Sequence, residues 1–171
     1  MRIRVASALP LIFAAAAYGS TPHELWTRAA VHTLPVFFED RGQPGKDYEL
    51  ERFADLMART SLDAPRPPRE WSSLGTTVAF HESGLSHRII LGDCHKHECD
   101  HGRARGVGQT HRNTLNTADW DAAPGNIEVQ VRLLDQGLRR AYWTCARSGV
   151  PWQVGTINAY AGRRCGDSWP G

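Results

Sequence analysis

The chain is poor in lysine, has no basic tract and contains no long apolar run. Only Lys46 and Lys96 are lysines among its 20 basic residues, and 18 acidic residues leave a net charge of +2. That excess is too small for a protein whose main role is to hold nucleic acid. No stretch reaches the roughly 18 apolar residues of a transmembrane helix, so we expect no stable membrane anchor.

Alternating runs of β-branched residues, which indicate strands, are also missing. Other segments instead show helical apolar spacing or helix-starting residues, which favours a mainly α-helical fold with long functional loops and little or no β-sheet. We expect a polar loop over residues 84–105 and a short helix or turn over residues 106–116. The predicted helices cover residues 22–32, 47–60, 71–83, 127–147 and 151–161.

The first nineteen residues have the order of a secretory signal peptide. Arg2 and Arg4 precede an apolar run over residues 5–17, and small residues at the spacing of a cleavage site follow. We expect this segment to direct export to the periplasm or the cell exterior and then to be removed. The remaining 152 residues carry 18 basic and 18 acidic side chains, so the exported chain is neutral.

The chain has four cysteines, and export to an oxidising compartment predicts that they form disulfides. Four cysteines allow three pairings. We favour Cys94 with Cys99 and Cys145 with Cys165, because each pair closes a short local loop.

Glu82 is a lone acid at the end of an otherwise apolar helical segment. Desolvation at such a position raises the pKa of a carboxyl group, so that it can keep a proton near neutral pH and donate it to a leaving oxygen. The alternative is a solvated glutamate at a helix end, which is common in proteins.

Four short motifs follow one another along the chain: Glu82-Ser83-Gly84, Gly106-Val107-Gly108-Gln109, Asn126-Ile127 and Ala159-Tyr160-Ala161-Gly162. This order resembles the catalytic domain of soluble lytic transglycosylases and goose-type lysozymes. There the pattern is Glu-Ser, Gly-Leu-Met-Gln, Asn-Ile and Ala-Tyr-Asn-Ala-Gly. The resemblance covers about residues 47–166. The chain departs from the pattern at Gly108, where the family usually has methionine, and after Tyr160, where asparagine is missing.

The resemblance implies a lysozyme-like domain that cleaves the β-1,4 bond between N-acetylmuramic acid and N-acetylglucosamine in peptidoglycan glycan strands. It implies that Glu82 is the catalytic acid and that Ser83 orients groups beside it. Gln109 would line the sugar cleft, and Tyr160 would hydrogen-bond Glu82. We expect a monomer that needs neither a cofactor nor a metal.

The expected organisation has three parts. A signal peptide occupies residues 1–19, a helical lead-in residues 20–46, and the lysozyme-like catalytic domain residues 47–171.

The presence or absence of a second catalytic carboxylate would distinguish hydrolysis from formation of a 1,6-anhydro sugar. Asp100-His101-Gly102 resembles the Asp-His-Gly segment of goose-type lysozymes, which makes Asp100 the candidate second acid and Asp93 the reserve. Alternatively, Asp100 accepts backbone N–H groups in its own loop. In that case the N-acetyl group of the substrate would assist, and the product would be a 1,6-anhydro sugar. The sequence therefore allows both the hydrolysis product and the 1,6-anhydro product.

Three other interpretations compete with this one. The histidines, acids and cysteines of residues 93–101 have the composition of a metal site, although disulfide bonding would remove the thiols. Residues 101–171 carry nine basic and five acidic side chains, and such a basic half could hold anionic wall peptides or merely form a solvated helix face. A non-catalytic glycan-binding module could stack sugars on Trp71, Trp120, Trp143, Trp152 and Trp169.

Overall fold

The structure is a computed structural model that describes residues 24, 27–28, 30–31, 45–93, 99–113 and 116–168. The helices are α1 (Asp47–Thr60), α2 (Pro68–Ser83), α3 (His87–Leu91), α4 (Thr117–Ala122), α5 (Ile127–Cys145) and α6 (Trp152–Tyr160). Short 3-10 turns cover Ser61–Asp63 and Asp100–Gly102. Strand β1 (Ala104–Arg105) pairs antiparallel with β2 (Thr110–His111). The prediction of a mainly α-helical fold with little β-sheet is confirmed.

Helix boundaries follow local chemistry. α1 begins after Lys46, whose backbone N–H donates to the Glu49 carboxylate at 2.8 Å and so satisfies an amide at the helix start. α5 begins after Asn126, whose side chain accepts from the Val129 N–H at 3.2 Å. Both helices lie within two residues of their predicted bounds. α2 begins at Pro68, three residues before its predicted start, because proline suits the first turn of a helix.

α5 is the central helix and packs against α1, α2 and α6. Its buried stripe has the predicted three- and four-residue spacing and comprises Val131, Leu134, Leu138, Ala141 and Cys145. Beside Leu138 of this stripe, Gly75 of α2 lets Met57 of α1 approach closely. A Cβ atom at position 75 would lie 2.6 Å from the Met57 sulfur.

A buried polar network ties α5 to α2 and to the end of α1. The Trp71 indole N–H donates to Asp135 Oδ1 at 2.8 Å, and Arg139 Nε donates to Asp135 Oδ2 at 2.7 Å. The Arg139 guanidinium also donates to the backbone oxygens of Thr60 and Asp63, at 3.0 and 2.7 Å. One carboxylate and one guanidinium therefore satisfy groups from three elements. The largely buried Asp135 carboxylate is fully paired, while the Arg139 side chain stays 31% exposed.

The segment between α2 and α5 differs from its prediction. Residues 84–105 contain helix α3 and strand β1, which were not predicted. Residues 106–109 form a turn, one of the two predicted possibilities, and strand β2 follows it. Helix α4 was not predicted either. These elements are two to six residues long, too short for a helical or alternating pattern to appear in the sequence.

The N-terminal lead-in packs against the main helices. Helical backbone is found at Glu24, Thr27, Arg28, Ala30 and Val31. Arg28 pairs with Asp55 of α1, the Thr27 hydroxyl lies 3.2 Å from that of Ser72 on α2, and Val31 is fully buried. The other residues of the predicted helix over 22–32, and the predicted signal peptide, lie outside the described residues. Among the described residues, no helix combines the length and apolar character needed to cross a membrane.

The disulfide between Cys145 and Cys165 is confirmed and joins the end of α5 to the segment after α6. Cys99 is also disulfide-bonded. Its predicted partner, Cys94, lies outside the described residues.

Candidate active site

The end of α2 fixes the backbone at Glu82. The buried Ser83 hydroxyl donates to the Ala79 carbonyl at 2.7 Å and accepts from the Leu85 N–H at 3.1 Å. Gly84 then ends the helix with a φ of 63°. Both hydrogen bonds of Ser83 stay within its own turn, so its hydroxyl holds the turn in place beside Glu82.

Glu82 itself is exposed. The expectation that an apolar helix end would desolvate its carboxylate is therefore wrong, and the alternative of a solvated glutamate is confirmed. Glu82 has helical spacing from the buried Trp71, Gly75 and Val78, but it lies in the last turn of α2, where the core no longer covers that face. An exposed acid at this position is accessible to a polymeric substrate.

Tyr160, the last residue of α6, brings three of the sequence motifs together. Its hydroxyl donates to the Gly108 backbone oxygen at 2.6 Å. Burial of the hydroxyl raises the pKa of Tyr160 well above its usual value; the neighbouring Thr110 hydroxyl acts in the opposite direction, and the negative charge of Glu82 raises the pKa further. The predicted hydrogen bond from Tyr160 to Glu82 is wrong, because the single hydroxyl proton goes to Gly108. Glu82 acts on Tyr160 through its charge.

Two glycines make room for the Tyr160 ring. A Cβ atom at Gly108 would lie 2.5 Å from the Tyr160 hydroxyl oxygen, and a Cβ atom at Gly137 would lie 2.8 Å from the ring. Such distances do not occur in folded proteins without displacement of one group. Glycine at position 108 thus has a local structural role, since any larger residue would displace the tyrosine.

Gln109 lies in the turn that joins β1 to β2. Its backbone has a φ of 45°, and its side-chain amide donates to the Gly106 oxygen at 3.1 Å. The residue is half-buried. Its amide N–H thus supports the turn, and the predicted contact of Gln109 with a sugar stays a prediction.

Gln130 of α5 anchors this turn, and the sequence-based prediction missed it. Its side-chain oxygen accepts from the Val107 N–H at 3.2 Å, and its amide donates to the oxygens of Ile90 and Ala123, each at 2.7 Å. The residue is 1% exposed. A polar residue within the apolar stripe of α5 was the available signal, because buried amides are nearly always fully hydrogen-bonded. Its contact with Gly106 also explains that glycine, where a Cβ would lie 2.7 Å from Gln130.

Asp100 lies just before strand β1, at the end of the hairpin away from the turn that holds Gln109. Asp100, His101 and Gly102 have φ values of 45°, 57° and 82°, so three consecutive residues are left-handed. The exposed Asp100 carboxylate lies 3.5 Å from His111 Nε2. No backbone N–H of the described residues donates to this carboxylate, and residues 94–98 of the same loop lie outside them, so both interpretations of Asp100 stay predictions. Asp93, the reserve acid, is exposed just after α3.

The proposed metal cluster falls mostly outside the described residues, which exclude 94–98. Within the described parts of the chain, no group of three or more histidine, cysteine, aspartate or glutamate side chains is arranged to hold a metal.

Most of the tryptophans considered for sugar stacking are covered by the protein. Trp71 is fully buried and stacks on Trp152 with ring centroids 6.2 Å apart, and Trp120 is 8% exposed beneath the guanidinium of Arg105. Trp143, which is 66% exposed, presents an open ring. Trp169 lies outside the described residues. A row of stacking aromatics is therefore not found in the described part of the chain.

The arrangement thus offers an accessible carboxyl group beside a buried tyrosine hydroxyl and a glycine-lined turn. Comparison of the chain with protein-family models, with curated proteins and with solved structures found no match. The chemistry of its own residues is therefore what supports a function.

Proposed function

We propose that this chain is an exported glycosidase that cleaves the β-1,4 bond between N-acetylmuramic acid and N-acetylglucosamine in peptidoglycan. It acts as a lytic transglycosylase or as a goose-type muramidase. One observation carries the proposal: Tyr160 hydrogen-bonds Gly108, 52 residues away, and lies within the electrostatic influence of Glu82. Residues from the first, second and fourth motifs, which are distant in sequence, thus share one site.

In this mechanism Glu82 donates its proton to the glycosidic oxygen. The bond between that oxygen and C1 of the muramic acid breaks, the electron pair stays on the oxygen, and C1 and the ring oxygen share the positive charge. A substrate that covers Glu82 would supply the desolvation that the protein itself does not, and would favour the protonated acid. Tyr160 keeps its proton at neutral pH, so its hydroxyl holds the Gly108 turn without adding charge beside Glu82.

Two second steps balance the reaction. Water can add to C1, which leaves a reducing end, or the C6 hydroxyl of the same sugar can add, which leaves a 1,6-anhydro sugar. In both cases the proton lost by the attacking oxygen returns to the Glu82 carboxylate. Asp100 would position the water in the first case, and the substrate N-acetyl group would assist in the second.

Export fits the expected signal peptide over residues 1–19 and the Cys145–Cys165 disulfide, which an oxidising compartment maintains. In this proposal the protein works as a monomer on glycan strands, without a cofactor.

Replacement of the catalytic acid tests the proposal. We expect Glu82→Gln to lower the rate of glycan release from purified cell walls by about 100-fold to 10,000-fold, because general acid catalysis contributes that much. Thermal unfolding should be unchanged, since the side chain is exposed. Glu70→Gln, an exposed acid at the start of the same helix, is the matched control and should keep full activity.

Equal wall lysis by Glu82→Gln and the wild type would refute the mechanism. Binding of glycan by the wild type without release of fragments would instead favour the non-catalytic glycan-binding module. Mass spectrometry of the fragments identifies the reaction, because reducing ends indicate hydrolysis and anhydro ends indicate transglycosylation. If hydrolysis is found and Asp100→Asn leaves its rate unchanged, Asp100 has no role in positioning water.

A further inference from the structure

A second concave site lies at the base of the β1–β2 hairpin, away from the turn that meets Tyr160. It is an open cavity of about 320 Å³, lined by Gly102, Arg103, His111, Arg112 and Trp120. We refer to it as the basic pocket. Three of its five lining residues are cationic or can become so.

The charges around the basic pocket are unevenly paired. Arg112 is 52% exposed and donates to Asp121 at 3.0 Å, and His111 lies 3.5 Å from Asp100. Arg103 is exposed, and among the described residues its side chain has no acidic partner. The two acids engage Arg112 and His111, so Arg103 contributes an uncompensated positive charge at the rim.

The floor of the basic pocket is an indole that cannot stack a sugar. Arg105 lies 3.7 Å above the centroid of the Trp120 ring, and the indole N–H donates to the Thr110 oxygen at 2.8 Å. The Arg105 guanidinium in turn donates to the Trp120 backbone oxygen at 3.2 Å. Both the ring face and the indole donor are thus occupied. What the site offers to a ligand is an apolar wall and guanidinium N–H groups.

We propose that the basic pocket binds a carboxylate of the peptides attached to peptidoglycan. Guanidinium groups bind carboxylates through paired, charge-assisted hydrogen bonds. The site is also close along the chain to the second motif: His111 follows Gln109 by two residues, and a strand spans about 3.3 Å per residue. If the glycan strand binds at Gln109, as the proposed function has it, a peptide that branches there lies next to the pocket. The choice of ligand rests on the proposed function, since wall peptides carry the carboxylates nearest to that glycosidic bond.

Binding of a free peptide tests this inference without any need for catalysis. The probe is a synthetic L-alanyl-D-isoglutamyl peptide with free carboxylates, added to the purified full chain and followed through the NMR signal of the Trp120 indole N–H. We expect saturable shifts that weaken with added salt, because the attraction is between exposed charges. Arg103→Gln and Arg112→Gln should each weaken binding by about tenfold, the usual loss when a hydrogen bond to a charged group is removed.

Arg140→Gln is the matched control, because Arg140 is an exposed arginine on α5 outside the pocket and should bind the peptide like the wild type. The same peptide with amidated carboxylates should not bind. Equal binding of the amidated peptide, or unchanged binding by both pocket variants, would overturn the inference. Inorganic phosphate that displaces the peptide at a lower concentration would also overturn it, since the site would then be a phosphate site.

The glycosidase proposal and the peptide-carboxylate proposal can be refuted independently of each other. Cleavage of walls by the wild type, with no peptide-induced shift at Trp120, would remove the peptide site and leave the glycosidase. A peptide that binds the basic pocket, together with full lysis by Glu82→Gln, would leave a peptide-carboxylate site and remove the Glu82 mechanism.

Discussion

The helices α1, α2, α5 and α6 hold one another mainly by apolar packing, whereas the segment from Gly84 to His111 combines apolar contacts with hydrogen bonds to side chains of other elements. Leu85, Ile90 and Val107 of this segment belong to the same apolar core as the helices. In addition, His87 Nδ1 lies 2.8 Å from Glu49 on α1, and the Val107 N–H donates to Gln130 on α5. The Gly84–His111 segment therefore adds a few buried polar anchors to a smaller apolar contribution.

The two regions also differ in their backbone conformations. Within the described residues, the positive-φ residues other than glycine are Leu85, Asp100, His101 and Gln109. All four lie between Gly84 and His111. Such conformations are unfavourable for residues with a Cβ atom and persist only where the surroundings impose them. The comparison teaches that the helices place the candidate site, while its loops keep their shape through specific contacts that single substitutions can remove.

The largest effect on stability is expected in the helical part. Asp135→Ala removes the acceptor of both Trp71 and Arg139, and leaves the guanidinium without its carboxylate. We expect a loss of about 3 kcal/mol in the free energy of unfolding, because breaking a largely buried pair leaves an uncompensated charge. Urea denaturation followed by circular dichroism measures it.

Glu128→Ala on the same helix provides the matched control. The Glu128 carboxylate lies 3.0 Å from the Arg52 guanidinium, similar to the 2.7 Å between Asp135 and Arg139, but both side chains of this pair are exposed. Such pairs contribute about 0–1 kcal/mol. Similar losses for the two variants would show that the buried network does not hold the helices together, and the contrast between the regions would be broken.

An intermediate effect is expected at Gln130. Gln130→Leu leaves the Val107 N–H without its partner and removes one of two donors from the oxygens of Ile90 and Ala123, which keep the backbone N–H groups of Gly125 and Asn126. We expect a loss of about 2 kcal/mol, since buried polar groups without a partner are costly. Hydrogen exchange at Val107 should accelerate more than exchange in α1, because the damage is local to the hairpin turn.

Gln136 is an exposed glutamine on the same helix, and Gln136→Leu is the control. It should change neither the free energy of unfolding nor the rate of hydrogen exchange at Val107. Uniform acceleration of exchange throughout the molecule in Gln130→Leu would mean that the turn and the helices unfold as one unit. That result would contradict the distinction between the two regions.

The smallest effect is expected at Tyr160. Tyr160→Phe removes the hydrogen bond to Gly108 and should cost about 1 kcal/mol at neutral pH. The folded state raises the pKa of this hydroxyl, so above pH 10, where an unfolded tyrosine ionises, the folded chain keeps a proton that the unfolded chain releases. The stability of the wild type therefore falls as the pH rises through this range, and the variant lacks that contribution.

Urea denaturation of both proteins at pH 8 and pH 11 measures this difference. The stability advantage of the wild type should shrink at the higher pH. An advantage that stays constant would show that the hydroxyl ionises as easily in the folded chain as in the unfolded one, and that it is not enclosed at the hairpin turn.

Sequence patterns predicted the long helices well because their signals are local. The apolar spacing of α1 and α5 and the cap at Asn126 involve residues within four positions of one another. The pairing of Cys145 with Cys165 was predicted correctly because the loop it closes is short. The hairpin escaped prediction, since strands of two residues carry no alternation that could be recognised.

The candidate site was predicted in part. Glu82 and Tyr160 were predicted from the order of the motifs, and the structure brings both together with Gly108 of the second motif. The desolvation of Glu82 and the partner of Tyr160 were predicted wrongly, whereas the alternative of a solvated Glu82 is confirmed. Both properties depend on which groups the neighbouring elements present. Gln130 was missed because its partners, Ile90 and Ala123, are set by the packing of α5 against two segments that were not predicted.

The sequence by itself thus determined where the long helices begin and end, which described cysteines pair with each other, and that a lone acid ends α2. Only the tertiary structure decided that the Tyr160 hydroxyl binds the Gly108 turn, that Gln130 anchors that turn, and that the arginines flanking the second motif line one pocket with Trp120. The physical reason is the distance along the chain over which each interaction acts. Helix periodicity and capping act between neighbours along the chain, whereas a buried hydrogen bond across 52 residues exists only after the helices have packed.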